Sequence, residues 1–232
     1  MNILIYVYNG ITMLDAIGPY EVLRNIDGAE VNFVAEKIGS ITADSGFIDL
    51  NVKHTIDDYS EADILLIPGS TISFMKEMKN KNVLNWIKDI DKTTKWTTSV
   101  CTGSLILATT GLLRGLKATS HWKSIQLLTD YGVIPTKDRI VEQGKYLTAA
   151  GVSSGIDMAL YLSYQLVGEK ETRAIQLTIE YDPDPIFDSG NLSKADKATK
   201  HLAEKKLSKV AFKSLGLIGM MNHAKGILKM MK

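Results

Sequence analysis

The chain of 232 residues contains one cysteine, four histidines and five prolines, and each scarcity removes a class of protein. A single cysteine excludes an internal disulfide, and a free thiol fits a reducing compartment, which places the protein in the cytoplasm. No zinc-ligand spacing, phosphate-binding glycine loop or dinucleotide fingerprint occurs, so metal and nucleotide cofactors find no support and none is expected. No segment approaches the roughly 20 apolar residues that span a bilayer. The N-terminal apolar run has no basic n-region and breaks at Asn9-Gly10, so it reads as a first strand rather than a signal peptide. A formal net charge of +1 leaves no overall field to draw nucleic acid.

What is present is the material of an α/β domain. With 45% hydrophobic side chains, a chain of this length buries a full core. Apolar, β-rich runs recur at residues 3–8, 31–35, 63–68 and 96–100, with segments of helical period between several of them, a pattern that implies parallel strands joined by crossover helices. Helices are predicted over 14–25, 80–91, 102–113, 122–131, 153–167 and 169–180. Pro19 limits the first of these, because proline fits only a helix's first turn. A hairpin is predicted over 140–149, turning at Gln143–Lys145.

The lone cysteine occupies a telling position. In Trp96-Thr-Thr-Ser-Val-Cys101-Thr102-Gly103-Ser104 it lies between a β-branched strand and a helix opened by small residues, the arrangement of a nucleophile elbow. Gly103 permits close backbone approach there, and the helix N-terminus is expected to lower the thiol pKa. A buried, inert filler is the competing reading for a lone cysteine; the strand-to-helix switch favours a reactive thiol. Two residues are candidate proton partners. His121 ends a short strand, 118–121, read as the next unit of the sheet, and would come up beside Cys101 at the same edge; a half-buried histidine starting the next helix is the equal alternative. Asp15 follows the first strand and reaches the same edge, although taken alone it reads as a helix cap. After the third strand, Gly69 and Ser70 can turn backbone N–H groups toward an oxyanion.

Taken together these segments resemble the DJ-1/PfpI superfamily, and most closely its isonitrile hydratase branch. Leu14-Asp15-Ala-Ile-Gly-Pro-Tyr-Glu-Val-Leu looks like the family's acid-bearing first helix, Ser99-Val-Cys101-Thr102-Gly103-Ser like its elbow, and Ala118-Thr-Ser-His121-Trp122 and Glu180-Tyr-Asp-Pro-Asp-Pro-Ile-Phe-Asp-Ser-Gly190 like further segments of the branch. Aspartate at position 15, where other branches carry glutamate, favours the hydratase branch. Ser70 departs from the usual Pro-Gly-Gly. The resemblance implies a flavodoxin-like three-layer sandwich with a mostly parallel sheet, pairing as a homodimer. It implies a cofactor-independent lyase that hydrates a small isonitrile, with Cys101, Asp15 and Thr102 catalytic and with Gly69, Ser70, Gly103 and His121 positioning the substrate.

Other readings of the same thiol are a hydrolase or glyoxalase-like activity of the wider superfamily, and a redox sensor. The remaining feature is the tail. Residues 193–232 hold ten lysines and two acids, a net +8, against 17 basic and 24 acidic groups before them, a net −7. The chain therefore divides into a domain over 1–192 and a basic helical extension over 193–232 that packs Leu207, Val210, Leu215 and Ile218 on that domain or its dimer mate. The tail lacks a helix-turn-helix pattern, which argues against DNA binding. Its methionine pairs at 220–221 and 230–231 leave contact with a membrane surface as an alternative.

Overall fold

The computed structural model describes residues 1–212. In chain order its elements are β1 (Asn2–Tyr6), α1 (Met13–Leu23), β2 (Glu30–Ala35), β3 (Gly39–Thr42), β4 (Asp49–Val52), β5 (His54–Thr55), β6 (Ile64–Ile67), α2 (Phe74–Glu77), α3 (Lys81–Asp91), β7 (Trp96–Val100), α4 (Gly103–Thr110), β8 (Lys117–Ala118), β9 (Ile134–Pro135), β10 (Ile140–Gln143), β11 (Tyr146–Ala149) and α5 (Ser154–Thr178). Seven strands form the central sheet in the order β10-β11-β7-β6-β1-β2-β5. Every pairing in it is parallel except β10 with β11. The architecture is the flavodoxin-like α/β sandwich that the strand–helix alternation implies.

The period-2 geometry of the strands divides the core into two layers. Along β1 and its exit, Ile3, Ile5 and Val7 join Val22 and Leu23 of α1 and Met158 and Leu162 of α5. The intervening Leu4, Tyr6 and Tyr8 join Val83 and Ile87 of α3 and Leu105 and Leu107 of α4 on the opposite face. Strands apolar on both sides are what a parallel sheet covered by helices requires. From β1 the chain steps to β2 on one side and later to β6 on the other, so the strand order reverses at the β1–β6 pair. A crevice opens at the carboxyl ends of strands at such a point.

Three predicted features take another form. Pro19 lies inside α1 rather than in its first turn. Its ring packs over Gly155 of α5, where an added Cβ would come within 3.1 Å of the proline Cγ. The strand predicted over 118–121 is only Lys117–Ala118, and it pairs with β9 in a separate ribbon. The place beside β7 belongs to β11 of the hairpin. The helix predicted over 122–131 is a 3-10 helix, Ile125–Tyr131; buried Ile125 and Leu128, three residues apart, share one side of a three-residue turn. The two final helices predicted over 153–167 and 169–180 are present, parted at Gly168, whose φ of 79° and ψ of 177° are not helical. The hairpin of β3 and β4, rich in exposed polar residues, gave no periodic signal.

Beyond the proline-broken loop, residues 197–212 are helical. A 2.7 Å ion pair from Lys123 to Glu204 ties this helix to the body. Leu207 is half-buried and Val210 exposed, while Leu215, Ile218 and both methionine pairs lie outside the described residues.

Leu4, fully buried in the central strand, provides a test of the two-layer core. Leu4→Ala is expected to lower unfolding stability by about 2–5 kcal/mol, read as a fall in the urea midpoint with an unchanged slope.

Candidate active site

Three loops meet at the β1–β6 reversal: the entry to α1, the turn after β6 and the turn after β7. Cys101 has a φ of 59°, left-handed backbone that a non-glycine residue adopts at a cost of about 1–2 kcal/mol. Its backbone is fixed on both sides. The Cys101 N–H donates to Ala149 O at 3.0 Å, and its carbonyl accepts the hydroxyls of Ser104 at 3.1 Å and Ser120 at 3.0 Å. A Cβ on Gly103 would stand 1.9 Å from Ile67 O, and one on Gly69 would stand 2.5 Å from Thr102 N. Both glycines are therefore required by the closeness of the β6 and β7 turns.

Asp15, in the first turn of α1, has no exposed surface. Its Oδ2 accepts the Gly69 N–H at 3.0 Å. Among the described residues no N–H or O–H reaches Oδ1, and the other polar neighbour of the carboxyl is the Cys101 thiol. The entry to α1 is braced on the β6 turn by Thr12 N–H donating to Gly69 O at 3.0 Å. Burial pushes the Asp15 carboxyl up to about 7, against the lowering effect of the Gly69 N–H and the thiol.

The thiol also moves upward. Burial and the neighbouring Asp15 charge raise it well above its ordinary value, although the Thr102 and Val152 N–H groups favour the thiolate. The lowering expected from the helix N-terminus is present as those donors and is outweighed, because Cys101 is 4% exposed and faces an acid. The resting pair is a neutral thiol beside a carboxyl poised near neutrality.

The other candidates divide. Thr102 is in place, but its hydroxyl is engaged with the backbone of Ser70, donating to Ser70 O at 2.8 Å and accepting Ser70 N–H at 2.9 Å. The Gly69 and Ser70 amides, expected to face an oxyanion, are thus committed to Asp15 and Thr102. The Ser70 hydroxyl accepts Phe74 N–H at 2.6 Å, holding the start of α2. His121 lies on the neighbouring segment: Ser120 before it donates to the Cys101 carbonyl, its ring lies against Gly151, next to Val152, its Nδ1 accepts Lys123 N–H at 3.4 Å, and burial lowers its pKa. The loop that follows β11 contributes the Val152 N–H. Among the described residues no group of three or more His, Cys, Asp or Glu side chains suits a metal ion.

The DJ-1/PfpI family model matches residues 1–165. The chain belongs to the DJ-1/PfpI family. It is 37% identical over 196 residues to the isonitrile hydratase of Pseudomonas putida, spanning 84% of this chain and 85% of that protein. DJ-1 homolog A of Arabidopsis thaliana is 26% identical over 190 residues, 79% of this chain and 47% of that one. A crystal structure of a ThiJ/PfpI family protein from Pseudomonas syringae superposes with a TM-score of 0.84 at 34% identity, covering 90% of this chain and 86% of the other. An enzyme of the isonitrile hydratase kind within the DJ-1/PfpI family is what these likenesses support. Among the described residues no helix is long and apolar enough to cross a membrane.

The buried acid makes a prediction about stability alone. Asp15 has a folded pKa near 7 against an ordinary 3.8, so over that interval the folded state holds a proton that the unfolded state has released. The stability present below about pH 4 is lost progressively up to about pH 7, and the loss is constant above it. Asp15→Asn is therefore expected to be more stable than the wild type by roughly 2–4 kcal/mol at alkaline pH. Urea unfolding across this range should show the difference vanish in acid.

Proposed function

We propose that the protein is an isonitrile hydratase, a cofactor-independent lyase that converts R–N≡C into an N-substituted formamide through a covalent adduct on Cys101. The observation that carries the reading is the Asp15 carboxyl buried against the Cys101 thiol. Such a pair can move one proton between sulfur and substrate without water or metal. The 37% identity to the Pseudomonas putida enzyme supports this substrate.

The steps follow from the two groups. The Asp15 carboxylate takes the thiol proton as Sγ bonds to the terminal isonitrile carbon, and the proton passes to that same carbon, giving the thioimidate R–N=CH–S–Cys101. Asp15 is again a carboxylate. Water then adds to the thioimidate carbon, passing one of its protons to Asp15 and the other to the nitrogen. Collapse of the adduct breaks the C–S bond, releases R–NH–CHO and returns the Asp15 proton to sulfur. The Thr102 and Val152 N–H groups hold the negative charge that sulfur carries while bonds form and break. Thr102 serves through its amide, and its hydroxyl, with Gly69, Ser70 and Gly103, fixes the turns. A homodimer in the cytoplasm belongs to the same proposal, its basic extension held to the body by the Lys123–Glu204 pair, in which the tail supplies the acid and the body the lysine.

A redox-sensing role fits the site less well. Oxidation proceeds through a thiolate, and burial beside Asp15 holds this thiol protonated.

Purified protein is expected to convert a simple alkyl isonitrile to its formamide, with kcat/KM climbing as pH rises through about 7, where Asp15 becomes a base. Cys101→Ala should abolish turnover, and Asp15→Asn should reduce it about 10²–10⁴-fold and erase the climb. A wild-type rate equal to that of Cys101→Ala would refute the assignment.

A further inference from the structure

The hairpin of β3 and β4 lies beside the site without contributing to the chemistry above. Residues just after β3 reach the strand exit that leads to α1: Gly10 N–H donates to Thr42 O at 2.7 Å, Asp44 N–H donates to Ile11 O at 2.8 Å, and Ile11 bridges Ala43. The half-buried Asp44 side chain does more. Its Oδ2 accepts two hydroxyls, Thr12 at 2.7 Å and Thr71 at 2.8 Å. Thr12 is the residue before α1, and Asp15 N–H donates to its carbonyl at 3.0 Å. Thr71 follows Gly69 and Ser70 directly. One carboxylate oxygen thus joins the segment that carries the acid to the turn whose N–H holds that acid.

We propose that Asp44 is a positioning residue for the Asp15–Cys101 pair: it clamps the two loops that present Asp15, and its negative charge sets how readily Asp15 gives up its proton. A carboxylate placed near a second carboxyl opposes ionisation of the latter, and Asp44 acts on Asp15 in this sense. The groups acting on Asp15 come from each element packed around it. Cys101 faces it from the β7–α4 turn, the Gly69 N–H from the β6 turn, and the Tyr8 phenol lies within its field at the end of β1. On α5, packed along α1, the charged Asp157 is occupied by Arg139 and the Tyr181 hydroxyl. Asp44 is therefore the anionic neighbour that resists ionisation, since the thiol is neutral when Asp15 ionises.

The inference deepens the proposed reaction, but its test does not depend on that reaction. The alkylation rate of Cys101 by iodoacetamide, followed by mass spectrometry against pH, reads the acid–thiol pair whatever the natural substrate is. In the wild type the rate is expected to rise as Asp15 ionises and can take the thiol proton. In Asp44→Asn that rise should move toward acid by a fraction of a pH unit, Asp44 being the smallest of the influences on Asp15, and Asp44→Glu, which keeps the charge, should restore it at least in part. Because Asp44 is only half-buried, high salt should move the wild-type rise in the same direction. This second measurement decides the matter if Asp44→Asn does not fold. A rise that stays in place in folded Asp44→Asn, or that salt leaves unmoved when that variant cannot be obtained, would reduce Asp44 to a structural brace. Failure of isonitrile turnover alongside a shifted alkylation profile would overturn the substrate and leave the role of Asp44 standing.

Discussion

The rest of the site depends on one costly contact, a carboxylic acid sealed from water against a thiol. A buried carboxylate with few donors is expelled, protonated or exploited. Here a single backbone N–H, from Gly69, is spent on Asp15, enough to hold the acid in place without making it a settled anion. Everything close to the pair serves that compromise. Gly69 and Gly103 have no Cβ because the β6 and β7 turns nearly touch; Thr102 and Ser70 exchange two hydrogen bonds across the same gap; Cys101 accepts a left-handed backbone at the junction. The two apolar layers beneath supply the stability from which this strain is drawn.

The compromise also explains why the thiol is not preactivated. Two N–H groups point at the sulfur, as a strand-to-helix turn provides, yet burial and Asp15 outweigh them. A permanently ionised thiolate beside an ionised carboxylate would place two like charges in a dry site. One shared negative charge avoids this, because the state with a carboxylate and a thiol and the state with an acid and a thiolate differ only in the position of one proton. The donors on the sulfur then matter most when a substrate draws that proton away.

Much of this was legible in the sequence, and for physical reasons. Strands covered on both faces write themselves as apolar runs, from which β1 and β6 were recoverable, while β2 and β7 showed through their β-branched residues. A cysteine between β-branched residues and Thr-Gly-Ser marks an elbow by local chemistry alone. What stayed hidden depends on contacts between segments far apart. Pro19 reads as a helix start until Gly155 is seen beneath its ring. The strand predicted to end at His121 gives way because the hairpin of β10 and β11 takes the place beside β7. The direction of the thiol's shift was misjudged because the helix N-terminus is a local feature, whereas desolvation and the Asp15 field arise only when three loops close. Asp44 gave no signal at all, since an aspartate in a polar hairpin resembles any solvated turn residue.

Ser70 shows how such a site redistributes its donors. A serine in place of a second glycine gives the β6 turn a hydroxyl that accepts the Phe74 N–H, while the turn's own amides are taken by Asp15 and Thr102. The turn is thereby converted from a set of open donors into scaffolding, and the free polarity of the site shifts to the Thr102 and Val152 amides around sulfur. A nucleophile whose charge is held at sulfur suits an addition in which the carbon under attack ends bonded to both sulfur and hydrogen, since no oxygen anion forms in the first step. Acyl transfer would instead require donors aimed at a developing oxyanion, and the Gly69–Ser70 turn has already committed the amides that would serve it.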